Sequence, residues 1–160
     1  MPTKNEVIKE SADREIVVSR IINAPRELVF KAWTDPKLLV QWWGPKGFTN
    51  TFKEIDVRPG GVWRFIMHGP NGVDYPNMVV FTEIVKPERL VYTHGTGEPG
   101  DPGEFHVTVT FSDQAGKTNL TMRSIFASAA ERDKVVREYG AIEGANQTLD
   151  RLEELLSKLS

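Results

Sequence analysis

At 160 residues, 39% hydrophobic and 26% charged, the chain has the size and balance of one globular domain with one substantial core, which sets aside a disordered chain and a membrane protein. It has no cysteine, which excludes disulfides, thiolate metal sites and a cysteine nucleophile; twenty Lys and Arg against twenty-two Asp and Glu give a formal charge of -2 and no basic stripe for phosphates. No stretch approaches the roughly 18 apolar residues of a membrane helix and the polar start is unlike a signal peptide, so no nucleic acid, no membrane insertion and a cytoplasmic setting are expected.

Residues 1–13 (MPTKNEVIKESAD) are polar and lack sustained periodicity, which predicts a flexible tail with room for one helical turn, ahead of a single domain over 14–160. Glu15 to Ile22 (EIVVSRII) is dense in β-branched residues and short for a helix, which predicts a strand. Asn23-Ala24-Pro25 then offers a cap and a proline suited to a first helical turn, with Leu28, Val29, Ala32 and Trp33 following at helical spacing. Asp35-Pro36 repeats the signal and opens a second short helix through Leu38, Leu39 and Trp42, ended by Gly44-Pro45.

Five or six strands follow, at about 48–57, 61–68, 75–86, 89–95, 104–112 and 117–126. Pro59-Gly60-Gly61, Gly69 to Gly72, Lys86-Pro87-Glu88 and Asp113 to Gly116 separate them, and connections this short make antiparallel neighbours. Trp63, Phe65 and Met67 share one face of their strand; Phe105, Val107, Val109 and Phe111 share one face of another. A loop over 113–116 sets Ser112 opposite Lys117, Val109 opposite Leu120 and Val107 opposite Met122, which matches the two apolar faces. The period then changes: Ile142, Ala145, Leu149, Leu152, Leu156 and Leu159 predict a long amphipathic helix, after a helical segment over 129–139. Its apolar stripe is expected to lie across the sheet.

This order describes an α+β helix-grip architecture: a curved antiparallel sheet of six or seven strands around a long C-terminal helix, with two short helices after strand 1. Five stretches narrow it. They are Ile22 to Pro25 with Val29 to Pro36 (VFKAWTDP), Trp42 to Pro45 (WWGP), Asp56 to Phe65 (DVRPGGVWRF), Pro87 to Thr93 (PERLVYT) and Gln147 to Leu152 (QTLDRL). In this order and spacing the chain resembles, over about residues 14–159, the bacterial single-domain homologues of the activator of heat-shock-protein-90 ATPase, within the START-like, polyketide-cyclase-like (SRPBCC) superfamily. The resemblance implies a pocket between sheet and long helix. It implies no single activity, because such proteins include lipid carriers, cyclases, hormone receptors and chaperone activators. The extra N-terminal domain of the eukaryotic activators is not expected here, so a chaperone interaction stands unproven.

The implied pocket would be lined by Trp63, Phe65, Met67, Phe105, Val107, Phe111 and Met122, with Trp42 or Trp43 near its mouth. The same side chains would equally fill an ordinary core. Gly140 and Gly144 interrupt the start of the long helix at about 1 kcal/mol each relative to alanine. Room for a ligand at Gly144 is one explanation; the other is that Gly140 separates two helical segments and Gly144 lets a strand approach. His68, His94 and His106 lack the spacing of a zinc motif, so no metal site is expected. With 95–105 as a loop His94 faces His106, and a slip of one residue sends them to different faces, so the sequence leaves this register open.

Pointing inward beside Tyr92, His94 could polarise a ligand carbonyl or act as a general base. No nucleophile triad or paired-carboxylate motif stands behind an enzyme. Gly95 to Gly103 (GTGEPGDPG) reads as a mobile loop and candidate gate, not a phosphate cradle. Arg58, Arg64 and Arg89 would either orient an anionic head group or lie on the solvated face. The function expected is noncatalytic binding of a small apolar or amphipathic molecule, without cofactor. A chaperone cofactor and a cyclase-like or hydrolytic enzyme are the alternatives, and a homodimer through an exposed strand or helix is left open.

Overall fold

The computed structural model describes residues 12–159. Residues 1–11 of the expected tail lie outside the described residues, and Ala12–Arg14 form one 3-10 turn. In chain order the elements are β1 (Glu15–Ile22), α1 (Arg26–Thr34), α2 (Pro36–Trp42), β2 (Thr49–Ile55), β3 (Val62–His68), β4 (Asp74–Val85), β5 (Arg89–Gly95), β6 (Phe105–Gln114), β7 (Lys117–Ile125), α3 (Ala129–Tyr139) and α4 (Ala141–Leu159). The seven strands form one antiparallel sheet in the order β1-β7-β6-β5-β4-β3-β2, so the first strand pairs with the last of a meander. The helix-grip architecture expected from the sequence is present.

Local chemistry explains the ends. Asp35 accepts a hydrogen bond from Lys37 N at 3.0 Å and caps α2, and Ser128 does the same for α3 through Glu131 N at 3.1 Å. Asn23 makes no cap: Pro25 stands at the N-cap of α1 without a side-chain bond, while the Thr118 hydroxyl donates to Ala24 O at 2.7 Å and fixes the entering chain. Gly140, left-handed at φ 58, ends α3 and separates it from α4. In the β2–β3 turn, Gly60 N donates to Phe81 O at 2.7 Å and Phe81 N to Gly61 O at 3.0 Å. A Cβ on Gly61 would stand 1.9 Å from Asp56 O, so this turn accepts only glycine there.

Two registers differ from expectation or resolve it. β6 and β7 pair Gln114 with Lys117, Phe111 with Leu120, Val109 with Met122 and Val107 with Ser124, two residues away from the expected pairing. The cause is a two-residue turn, Ala115 and Gly116, both at positive φ (53 and 83), the geometry that matches strand twist. A slip of two preserves the faces, so the inward set is unchanged. On β5 and β6, His94 pairs with Phe105 and Thr93 with His106, which puts the two histidines on opposite faces.

The helix α4 packs against β1, α1, α2 and α3. Leu149, Leu152 and Leu156 are buried, and each such side chain contributes roughly 1.5–3 kcal/mol. The ends of the expected stripe stay uncovered: Ile142 is 44% and Leu159 43% exposed, where no facing element reaches them.

Candidate functional site

Alternation along β3 sends Trp63, Phe65 and Met67 inward, and the neighbouring elements answer with more rings. Trp63 and Phe65 stack at 4.2 Å and meet Phe52 edge-on at 5.2 and 5.9 Å, with Phe81 stacked beyond at 6.5 Å. Both are almost fully buried. Met67 Cε lies against Gly44. Trp42 is buried beneath, its indole N–H donating to Ala32 O at 3.0 Å and its ring edge-on to Trp33 at 4.9 Å. These residues fill the space they face. Trp42, Trp63, Phe65 and Met67 therefore form core and do not border the cavity described next, contrary to the lining expected from the sequence.

The other half of the sheet is different. Between β1, β5, β6 and β7 on one side and the start of α4 on the other lies a partly enclosed cavity of about 150 Å³. Trp43, His94, Phe105 and Met122 border it. So do Ile16 and Val18 of β1, Ser124 of β7, Phe126, and Ala141 and Ala145 of α4, which the sequence reading did not single out. The signals were present: Ser124 shares a face with Met122 by the period of two, and Ala141 and Ala145 are small residues one helical turn apart. Val107 and Phe111 are buried beside the cavity rather than in its wall. Gly144 also lies outside the wall. A Cβ there would meet Pro45 Cγ at 3.3 Å, so Gly144 makes room for the loop after α2, not for a strand or a ligand.

Trp43 divides the halves, edge-on to Trp63 at 5.1 Å and tilted toward His94 at 6.4 Å. Its position is set from α4. Arg151 Nη1 donates to Trp43 O at 3.1 Å, Gly44 O at 2.8 Å and Pro45 O at 3.1 Å, and Nη2 to Gln41 O at 3.2 Å. One guanidinium thus satisfies carbonyls that the end of α2 leaves without intrahelical partners. Burial holds it somewhat below the ordinary arginine range. Lys46 N donates to Gln147 Oε1 at 3.2 Å, and Arg20 donates to Asp150 at 2.6 Å. WWGP and QTLDRL are two sides of one contact.

His94 is the cavity's titratable group. Its Nε2 lies 2.9 Å from Asn77 Oδ1, and Asn77 Nδ2 donates to Tyr75 O at 2.8 Å. A carbonyl can only accept, so Asn77 must turn its amide toward Tyr75 and its oxygen toward His94. Nε2 therefore carries the proton. Burial lowers the imidazole pKa to about 4, only partly offset by the nearby Asp101 carboxylate, so the ring is neutral at pH 7 and Nδ1 holds a lone pair. Nδ1 has no hydrogen-bond partner among the described residues. The area His94 leaves uncovered belongs to a side chain otherwise enclosed by protein, in contact with Phe105 at 4.9 Å and Phe65 at 6.0 Å. Tyr92 is buried, its hydroxyl lacks a partner among the described residues, and desolvation pushes its pKa far up, so it stays neutral.

The charged candidates lie elsewhere. Arg58 pairs with Asp56 at 2.6 Å, Arg64 with Glu54 at 3.1 Å, and Arg89 with Glu83, all on exposed side chains. None of the three borders the cavity. In the Gly95 to Gly103 loop, Asp101 accepts from Thr96 N at 3.0 Å and Gly103 N at 2.9 Å. The Thr96 amide chiefly, with the other donors, holds that carboxyl below its usual range.

One constellation escaped the sequence reading: His68 Nε2 lies 2.7 Å from the Thr51 hydroxyl and Nδ1 2.7 Å from Asp74 Oδ1. Hydroxyl, imidazole and carboxylate do come into line, across three strands that no local motif connects. They sit on the exposed outer face of the sheet, where water competes for each bond. Among the described residues no cluster of three His, Cys, Asp or Glu could hold a metal ion, and no helix is long and apolar enough to cross a membrane.

Comparison with known proteins places this geometry. Solved structures superpose over most of the chain: a protein from Nitrosomonas europaea (29% identity, TM-score 0.82, 92% of this chain and 96% of that one), one from Mycobacterium smegmatis (26%, 0.82, 91% and 92%) and one from Arthrobacter aurescens (26%, 0.83, 92% and 88%). No curated protein matches. The family model described as "Activator of Hsp90 ATPase homolog 1-like protein" matches residues 23–157. With the match running from the residue after β1 through the Arg151 contact to the last turns of α4, the chain belongs to the Activator of Hsp90 ATPase homolog 1-like family.

Proposed function

We propose that the protein is a noncatalytic binder of a small apolar or weakly amphipathic molecule, held between β1, β5–β7 and the start of α4. The observation that carries this reading is the cavity itself, walled by Ile16, Val18, Phe105, Met122 and Phe126, with the polar groups of its wall limited to those of His94, Ser124 and the Trp43 indole. Concave, mostly apolar walls with few polar groups are what small-molecule sites require. At about 150 Å³ the space suits a compact guest rather than a long acyl chain. A catalytic role for His94 finds little support, because a ring whose pKa is lowered to about 4 is a weak proton acceptor at neutral pH.

Mass spectrometry of the protein after gentle purification, with thermal unfolding against added small hydrophobes, tests the reading. The expected outcome is a retained or titratable guest and a midpoint that rises with its concentration. No uptake of any hydrophobe, with the fold intact, would remove the reading. The family description names an ATPase activator, so a purified chaperone's ATPase rate is the control: a response that persists when Ala145→Leu closes the cavity would favour the cofactor alternative.

A further inference from the structure

We infer that the cavity selects a neutral, single-ring molecule carrying one hydrogen-bond donor, a phenol-like compound, and that His94 Nδ1 is the acceptor that recognises it. This deepens the binding reading above and rests on it.

Size sets the first limit. An apolar cavity of about 150 Å³ accommodates benzene, and this partly enclosed one has about the same volume, 150 Å³. Polarity sets the second. Tyr75 O orients Asn77, Asn77 oxygen takes the Nε2 proton, and the ring is left with an unprotonated Nδ1 as its free polar atom. The His94 acceptor rewards a donor, which an ether or a plain hydrocarbon lacks. Charge sets the third. Among the described residues no Lys or Arg side chain borders the cavity, Arg14 beside it donates to Phe126 O at 3.4 Å, and the Asp101 carboxylate is close enough to act on His94. A carboxylate guest would lose its hydration without gaining a partner.

The test uses the whole chain and four ring compounds of similar size: toluene, anisole, phenol and benzoate, titrated at pH 7 by calorimetry and by ligand-observed NMR. Phenol is expected to bind roughly fivefold to tenfold more tightly than anisole or toluene, the factor that one net hydrogen bond gives, and benzoate not detectably. In His94→Phe the preference is expected to vanish while toluene still binds. Should His94→Phe fail to fold, the wild-type His94 ring nitrogens decide by NMR. Nδ1 unprotonated, with a resonance that moves on adding phenol but not toluene, supports the inference; Nδ1 protonated overturns it. Equal binding of phenol and toluene overturns the donor selection and leaves the binding reading standing. Failure of all four to bind overturns the binding reading together with the inference.

Discussion

The two halves of the sheet obey the same alternation of faces and end differently. Across β2, β3 and β4 the inward positions are rings that meet rings, Trp63, Phe65 and Phe81 with Phe52 and Trp43, and the interior closes. Across β1, β7 and β6 the inward positions look toward Ala141 and Ala145, the first turns of α4, and the interior opens. Rings that meet rings therefore mark the filled half. Small side chains on the opposing helix mark the cavity.

The sharpest way to break this comparison is to truncate one ring on each side. Trp63→Ala is expected to cost about 3–5 kcal/mol, the range for emptying a packed aromatic site, and Phe105→Ala roughly half as much, because one side of Phe105 already borders open space. Equal losses in denaturant unfolding would contradict the distinction.

The next effect is one of pH. In the folded protein His94 titrates near 4 against an ordinary value of 6.5, so on acidification the unfolded chain takes up the proton first. The stabilisation is complete above about pH 6.5 and falls away toward pH 4, by up to about 3 kcal/mol. Asp101, the carboxylate acting on the ring, opposes the shift and reduces it. Unfolding midpoints compared between wild type and His94→Phe at pH 7 and pH 4.5 measure this window; parallel pH profiles would refute it.

Removing the clamp is expected to cost somewhat less. Arg151→Met removes the side-chain donor to the Gln41 and Gly44 carbonyls, while Trp43 O keeps Asn50 Nδ2 and Pro45 O keeps Phe48 N, at about 2 kcal/mol, with a change in tryptophan emission as the Trp43 backbone loses one of its two side-chain donors. Smallest of all, Ala145→Leu is expected to shift stability by less than about 1.5 kcal/mol while abolishing uptake of a hydrophobic probe. If the same variant unfolds the protein, the space beside α4 is tighter than its walls indicate.

Most of the fold was legible because it is written in local signals. β-Branched density gave β1, Asp35-Pro36 gave α2, and the 3,4 spacing of leucines gave α4, each within a residue or two of the observed bounds. The β6–β7 partners were not, because Ala115 adopts a left-handed φ that a non-glycine residue does not announce. The site was legible only in part. The sequence named His94 and Trp43 but left the face of the one and the choice between Trp42 and Trp43 open, because whether a wall is packed depends on what stands opposite, and Phe65 and Met122 look alike until α4 is placed. Asn77, which fixes the His94 tautomer, lies 17 residues away in sequence, and no periodicity links them. The expectation that Gly144 marks a binding space failed for the same reason: its neighbour, Pro45, is brought by the chain a hundred residues earlier.

The Arg151 contact has a mechanical corollary. The same helix supplies one wall of the cavity through Ala145 and, six residues on, through the four side-chain bonds of Arg151, anchors the backbone around the indole that separates open interior from closed. Wall and partition are yoked. A guest that pushes α4 outward therefore also pulls on the backbone that carries the indole.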